Sequence, residues 1–196
     1  YLGDYEKSLK TWNALIDDLG GKKKSYGAYY LGRAKLQAVM GNADKATEDY
    51  HMCVSLDKSC YAAYLGQYLL QIDSGDEQGA SATLEAAMNV AGDKQKESVE
   101  YYTLLYYNKD TDNAGAGFKA LYDNGEKKAA YYLGRIAEDA KDYNSAASYY
   151  EIYQTECPDE LGADFYNQYA GCLIELEKYD EALELITKGK QMAQGT

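Results

Sequence analysis

The chain has 196 residues, 20 basic against 32 acidic, and a formal net charge of −12. Nucleic acid demands phosphate neutralisation by Lys and Arg, and a bare acidic surface repels anionic lipid, so neither is an expected partner. A mean hydropathy of −0.59 and apolar runs of only a few residues exclude direct membrane insertion as a helix, while a single proline points to a chain that is helical nearly throughout.

In chain order, the first element is one amphipathic helix carrying Leu2, Gly3, Tyr5, Ser8, Leu9 and Trp12, stopped by Gly20-Gly21. A two-helix unit spans 25–57, with Leu31, Gly32, Ala46, Tyr50 and Cys53 and a Gly41-Asn42 turn. A second spans 59–91, with Leu65, Gly66, Ala80, Leu84 and Ala87 and a Gly75-Asp76 turn. Residues 95–123 form a degenerate unit with Val99, Ala114, Phe118 and Leu121, and Glu100 stands where a small residue belongs. Residues 126–158 carry Leu133, Gly134, Ala137, Ala146, Tyr150, Tyr153 and Pro158; residues 160–190 carry Tyr166, Ala170, Leu173, Tyr179, Ala182, Leu183 and Ile186. Ser25, Ser59 and Asp159 are expected N-caps.

These units share a beat. Leu-Gly recurs at Leu31-Gly32, Leu65-Gly66 and Leu133-Gly134, in steps of 34 and 68, and Ala46, Ala80 and Ala114 keep the step of 34. Self-similarity at such a period marks a stacked-repeat architecture, in which each unit buries its apolar face against its neighbours. From Gly32 to Ala46, and from Gly66 to Ala80, is 14 residues, against 12 from Gly134 to Ala146, so the first helix or its turn is longer in those two units.

The marks of residues 126–158, extended in both directions, resemble the tetratricopeptide repeat, W-x2-L-G-x2-Y…A-x3-F…P, although Ala130 and Ala137 replace two large aromatics. The resemblance implies an all-α, right-handed α-α superhelix of about five and a half repeats. As a single array, its units are 1–21 (partial), 25–57, 59–91, 95–123, 126–158 and 160–190. It also implies that the first helix of each unit lines a concave groove where a protein or peptide binds. The groove-facing places fall on Tyr26, Tyr29, Arg33, Gln67, Gln71, Glu97, Tyr101, Lys128, Tyr131, Arg135, Asp139 and Asn167. Tyrosine offers large contact area at low entropic cost, and Arg33 and Arg135 can each hold a carboxylate bidentately. The same residues are equally readable as helix packing and local ion pairs. The Lys/Asn clamp of chaperone-binding relatives is absent, its places being held by Tyr29, Arg33 and Tyr64.

No catalytic constellation is present, so an enzyme is not expected, and neither is a cofactor or metal. One His closes off His-dependent triads, and His51, Cys53 and Cys60 lack metal-ligand spacing. Ala114-Gly115-Ala116-Gly117 reads as a close helix contact rather than a phosphate loop. The four cysteines, Cys53, Cys60, Cys157 and Cys172, leave disulfides open, with Cys53 reading as a buried free thiol. The expected function is a non-catalytic protein–protein interaction scaffold holding a peptide or partner helix in a Tyr-rich groove. Two alternatives stand beside it: a cell-surface module for glycan or another small ligand, and a self-assembly unit using Leu9, Trp12, Leu15 and Ile16 of a truncated first repeat. The start at Tyr1 suggests a trimmed chain. A bacterial extracytoplasmic lipoprotein and a cytoplasmic protein are both compatible with the composition.

Overall fold

The structure is a computed structural model that describes residues 2–90 and 98–194. The expected start of the fourth unit at 95–97, including Glu97, lies outside the described residues. Those residues form eleven α-helices: α1 (Leu2–Asp17), α2 (Gly27–Val39), α3 (Ala43–Leu56), α4 (Tyr61–Asp73), α5 (Glu77–Val90), α6 (Val99–Tyr107), α7 (Thr111–Asp123), α8 (Ala129–Asp139), α9 (Tyr143–Glu156), α10 (Ala163–Glu175) and α11 (Tyr179–Gln194). None of the described helices is long and apolar enough to cross a membrane.

The chain groups into two compact units, Tyr1–Asn108 and Lys109–Thr196. In the first, α2 pairs with α3 and α4 with α5; α1 packs on α2, α3 on α4, and α6 on α4 and α5. In the second, α8 pairs with α9 and α10 with α11, while α7 packs on α8 and α9 on α10.

One turn recurs between paired helices. The backbone is left-handed at Gly41 (φ 76°), Gly75 (76°), Lys141 (60°) and Glu177 (59°). The next residue then donates its N–H to a carbonyl five positions back: Asn42 to Gln37 (2.9 Å), Asp76 to Gln71 (2.8 Å), Asp142 to Ala137 (2.8 Å) and Lys178 to Leu173 (2.9 Å). This is the Schellman closure, which satisfies carbonyls that the helix end leaves unpaired. At two of these turns an Asp side chain caps the following helix: Asp76 accepts from the Gly79 N–H at 2.9 Å and Asp142 from the Ser145 N–H at 3.2 Å. Ser98 does the same for the Tyr101 N–H at 3.2 Å. The expected caps Ser25, Ser59 and Asp159 are corrected, because the N-cap residues of α2, α4 and α10 are Tyr26, Cys60 and Gly162.

The recurring turn also fixes the register, and here the Leu-Gly beat needs correction. Gly134 precedes its turn residue Lys141 by seven positions, whereas Gly32 and Gly66 precede Gly41 and Gly75 by nine. The turns are the same length, so the extra residues of the second and third units lie at the start of α2 and α4, which have 13 residues against 11 in α8. Two positions on an α-helix rotate a side chain by about 200°. Accordingly a Cβ on Gly134 would strike the Tyr150 ring of its own paired helix α9, while one on Gly32 or Gly66 would strike Trp12 of α1 or Tyr50 of α3, both on the preceding helix. In the second unit the place of Gly134 is taken by Ala34, fully buried and twelve positions before Ala46.

Ala34, Ala46, Tyr50, Cys53 and Ala63 form one buried cluster in the first compact unit. In the second, Ala130, Ala146, Tyr150, Tyr153, Phe165, Tyr169, Ala170, Cys172, Leu173, Ala182 and Leu185 form another. Its aromatics meet edge-on or tilted, as at Tyr150–Phe165 (5.9 Å, 89°) and Tyr153–Phe165 (5.3 Å, 58°), geometries that favour ring pairs beyond their buried area. All four cysteines are free, and Cys53 is fully buried.

Candidate partner-binding faces

The corrected register decides where the expected groove residues point. Arg33 does not present its guanidinium to a partner. Nε donates to Asp49 Oδ2 and Nη2 to Oδ1, both at 2.7 Å, and Nη1 donates to Asn13 Oδ1 at 3.0 Å. Its carboxylate therefore comes from α3, within the same hairpin, and the pair is largely shielded, at 20% and 7% side-chain exposure. Its hydrogen bond to Asp49 holds the guanidinium above its ordinary pKa.

Gln67 pairs with the His51 ring of α3 at 2.9 Å, and Gln71 accepts from the Thr83 hydroxyl of α5 at 2.8 Å. Both glutamines line a cavity of about 340 Å³ with Val54, Tyr64 and Thr83. Tyr29 meets Trp12 of α1 edge-on at 6.4 Å and Tyr26 at 6.3 Å. Tyr101 is 7% exposed and packs against Tyr61 at 5.1 Å. In the first compact unit, then, the expected groove residues lie in seams between helices.

What those helices expose instead is apolar. On α4, Leu65, Leu69 and Ile72 share one face, about 200° from Gln67. Leu31, Lys35 and Ala38 hold the equivalent places on α2, which packs beside α4, with Val39 adjoining. Leu69 is 42%, Ile72 46% and Val39 67% exposed. Large side chains gathered on neighbouring helix faces at this exposure mark an interaction surface more often than lone exposed residues do. Counting back from the Gly41 and Gly75 turns, rather than forward from Leu-Gly, is the sequence signal that finds them.

In the second compact unit the expected residues lie on or beside α8 and α10. Arg135 Nη1 donates to the Tyr131 hydroxyl at 3.3 Å, and that hydroxyl donates to Gln168 Oε1 at 3.2 Å. Gln168 Nε2 and the Tyr150 hydroxyl both reach Glu138 Oε2 at 2.7 Å, a network spanning α8, α9 and α10. Burial, then the Glu138 bond, pushes the Tyr150 hydroxyl far above its ordinary pKa. Lys128 pairs with Glu160 at 2.6 Å, and that bond raises its pKa; both side chains remain about half exposed. Asn167 and Asp139 are exposed. Lys128, Tyr131, Arg135 and Asn167 are thus brought to neighbouring helices α8 and α10.

Among the described residues no group of three or more His, Cys, Asp or Glu is placed to hold a metal. On α1, Ile16 is buried and Leu9 and Trp12 are half-buried, leaving Tyr5 and Leu15 exposed. The outer stripe of α11 is more open, with Tyr179 62%, Leu183 63% and Ile186 39% exposed.

The sequence matches no family model. It matches no curated protein either. Solved structures are similar in fold. A tetratricopeptide repeat protein from Parabacteroides merdae aligns with a TM-score of 0.63 at 16% identity, over 97% of this chain and 73% of that one. A chain of the APC/C hetero-tetramer Cut9–Hcn1 aligns with a TM-score of 0.70 at 13% identity, over 99% of this chain and 38% of that one. PilF from Pseudomonas aeruginosa aligns with a TM-score of 0.56 at 16% identity, over 84% of this chain and 77% of that one.

Proposed function

Since the chain has the tetratricopeptide-repeat fold, we propose that it is a non-catalytic interaction scaffold that holds a peptide or partner helix on the first-helix faces of its repeats. The fold is that of protein-interaction scaffolds. The observation that carries the reading is the exposed apolar face of α2 and α4, with Val39, Leu69 and Ile72 between 42% and 67% exposed. A second face on α8 and α10, with Tyr131 and Arg135 preorganised by their bonds to each other and to Gln168, supplies polar anchors. Aromatic and Arg anchors held in place before binding lose little entropy on contact. The preferred partner is apolar along one side and basic along the other, because the net charge of −12 favours cationic ligands.

A peptide-display selection against the intact chain tests this. The expected binders carry apolar residues at helical spacing with Lys or Arg between them. Leu69→Ser with Ile72→Ser is expected to weaken them at least about tenfold while shifting folding stability by less than about 1 kcal/mol. Acidic binders, or binding indifferent to the double substitution, would remove the proposal.

Self-assembly remains a second reading because of the α11 stripe. Concentration-dependent sedimentation that is abolished by Leu183→Ser would support it, and a strict monomer would exclude it.

A further inference from the structure

Two thiols line one cavity in the first compact unit. Cys53 lies on α3, fully buried, and Cys60 is the N-cap of α4 and half-buried. Cys60 packs against the buried cluster that holds Cys53, and the Ala63 N–H at the start of α4 donates to the Cys60 carbonyl at 3.0 Å. Both cysteines line a cavity of about 510 Å³ with Ser25, Gly27, Ala28 and Leu31, whose rim carries Lys24 and Asp57 paired at 3.2 Å. A pair of free thiols on one cavity, one buried and one half-buried, is the arrangement of a resolving and an attacking cysteine.

We propose that Cys60 and Cys53 form a reversible dithiol–disulfide site that reacts with low-molecular-weight disulfides. The Cys60 thiolate attacks one sulfur of R–S–S–R. A mixed disulfide forms on Cys60, and R–S⁻ leaves and takes a proton. Cys53 then loses its proton to solvent and attacks the Cys60 sulfur, expelling the second R–S⁻, which is protonated in turn. Two cysteine thiols are oxidised to one disulfide, and one R–S–S–R is reduced to two R–SH.

The division of roles follows the surroundings. Donation from Cys53, helped by the Ala63 N–H and by Lys35 and opposed by burial and Asp57, lowers the Cys60 pKa. The same bond, with burial and Asp57, raises that of Cys53. The other two thiols are shut in: burial pushes Cys157 up and Cys172 up to about 12, and buried apolar thiols are inert.

The test uses the intact reduced chain and oxidised glutathione, followed by alkylation under denaturing conditions and peptide mapping. The expected product is a peptide joining Cys53 to Cys60 with two hydrogens lost, formed at least about tenfold faster than any adduct on Cys157 or Cys172. Cys53→Ser is expected to stop at glutathione on Cys60. The rate is expected to rise with pH through a midpoint below the ordinary thiol value of 9.0. Alkylation of both Cys53 and Cys60 in the wild-type chain, a wild-type product that stops at the mixed disulfide, or equal reaction at Cys157 would overturn the proposal. So would a midpoint at or above the ordinary value. Because the wild-type map is decisive by itself, a misfolded variant would not shield the proposal.

Discussion

Arg33 shows how much a single side chain's meaning depends on where its helix faces. Its fork is closed on Asp49 at two bonds of 2.7 Å, and Asp49 is 5% exposed. Breaking such a pair strands a buried charge, so Arg33→Met is expected to cost about 3 kcal/mol in denaturant unfolding. Adding Asp49→Leu is expected to restore most of that loss, since a shielded ion pair replaced by packed apolar groups is often neutral. Peptide binding should be unchanged in the double variant; a large loss of binding at intact stability would return Arg33 to the partner face. Lys141 is a second residue with a clear forecast. It holds a left-handed backbone at φ 60°, where a β-carbon is penalised and glycine is not. Lys141→Gly should therefore raise stability by about 0.5–1 kcal/mol, and a fall in Tm would contradict the reading of that turn.

At the scale of elements, the hairpins were legible and their rotation was not. Gly41 and Gly75 announce helix stops, and the alanines at 46, 80, 114 and 146 mark close helix contacts, each of them buried. The Leu-Gly pairs misled because the chain uses them twice for different jobs. At Gly32 and Gly66 the missing side chain admits a ring from the preceding helix, and at Gly134 a ring from the helix that follows. Both jobs need the same residue type, so composition cannot separate them. The error of two positions carried Arg33, Gln67 and Gln71 from an exposed face into helix seams and hid Leu69 and Ile72. In the eighth helix Gly134 stands twelve positions before Ala146, and Tyr131 and Arg135 there are joined by a hydrogen bond. Long-range partners such as Asp49, sixteen residues from Arg33, have no local sequence signal at all.

At the scale of the whole molecule, charge and burial set the solution behaviour. The second compact unit depends on groups kept neutral by burial: Tyr153 and Tyr169 are each pushed up to about 12 from 10.0, and Cys172 to about 12 from 9.0. The unfolded chain ionises these groups first, while the folded chain holds their protons. Their contribution is complete below pH about 9 and is lost as pH climbs from 9 toward 12. Circular dichroism melts are expected to show Tm falling through that window, and less steeply in Tyr169→Phe; a flat Tm to pH 12 would contradict this account of the core. The exposed apolar face of α2 and α4 poses the larger question of function, and methyl NMR answers it best. A selected amphipathic peptide is titrated into the intact chain labelled at Leu, Ile and Val methyls. The expected result is saturable shifts at Val39, Leu65, Leu69 and Ile72, with those at Val39 and Leu65 lost when Leu69→Ser and Ile72→Ser are introduced. Shifts confined to Val54 and Leu84, with those four methyls unmoved, would contradict the assignment of the partner to this face.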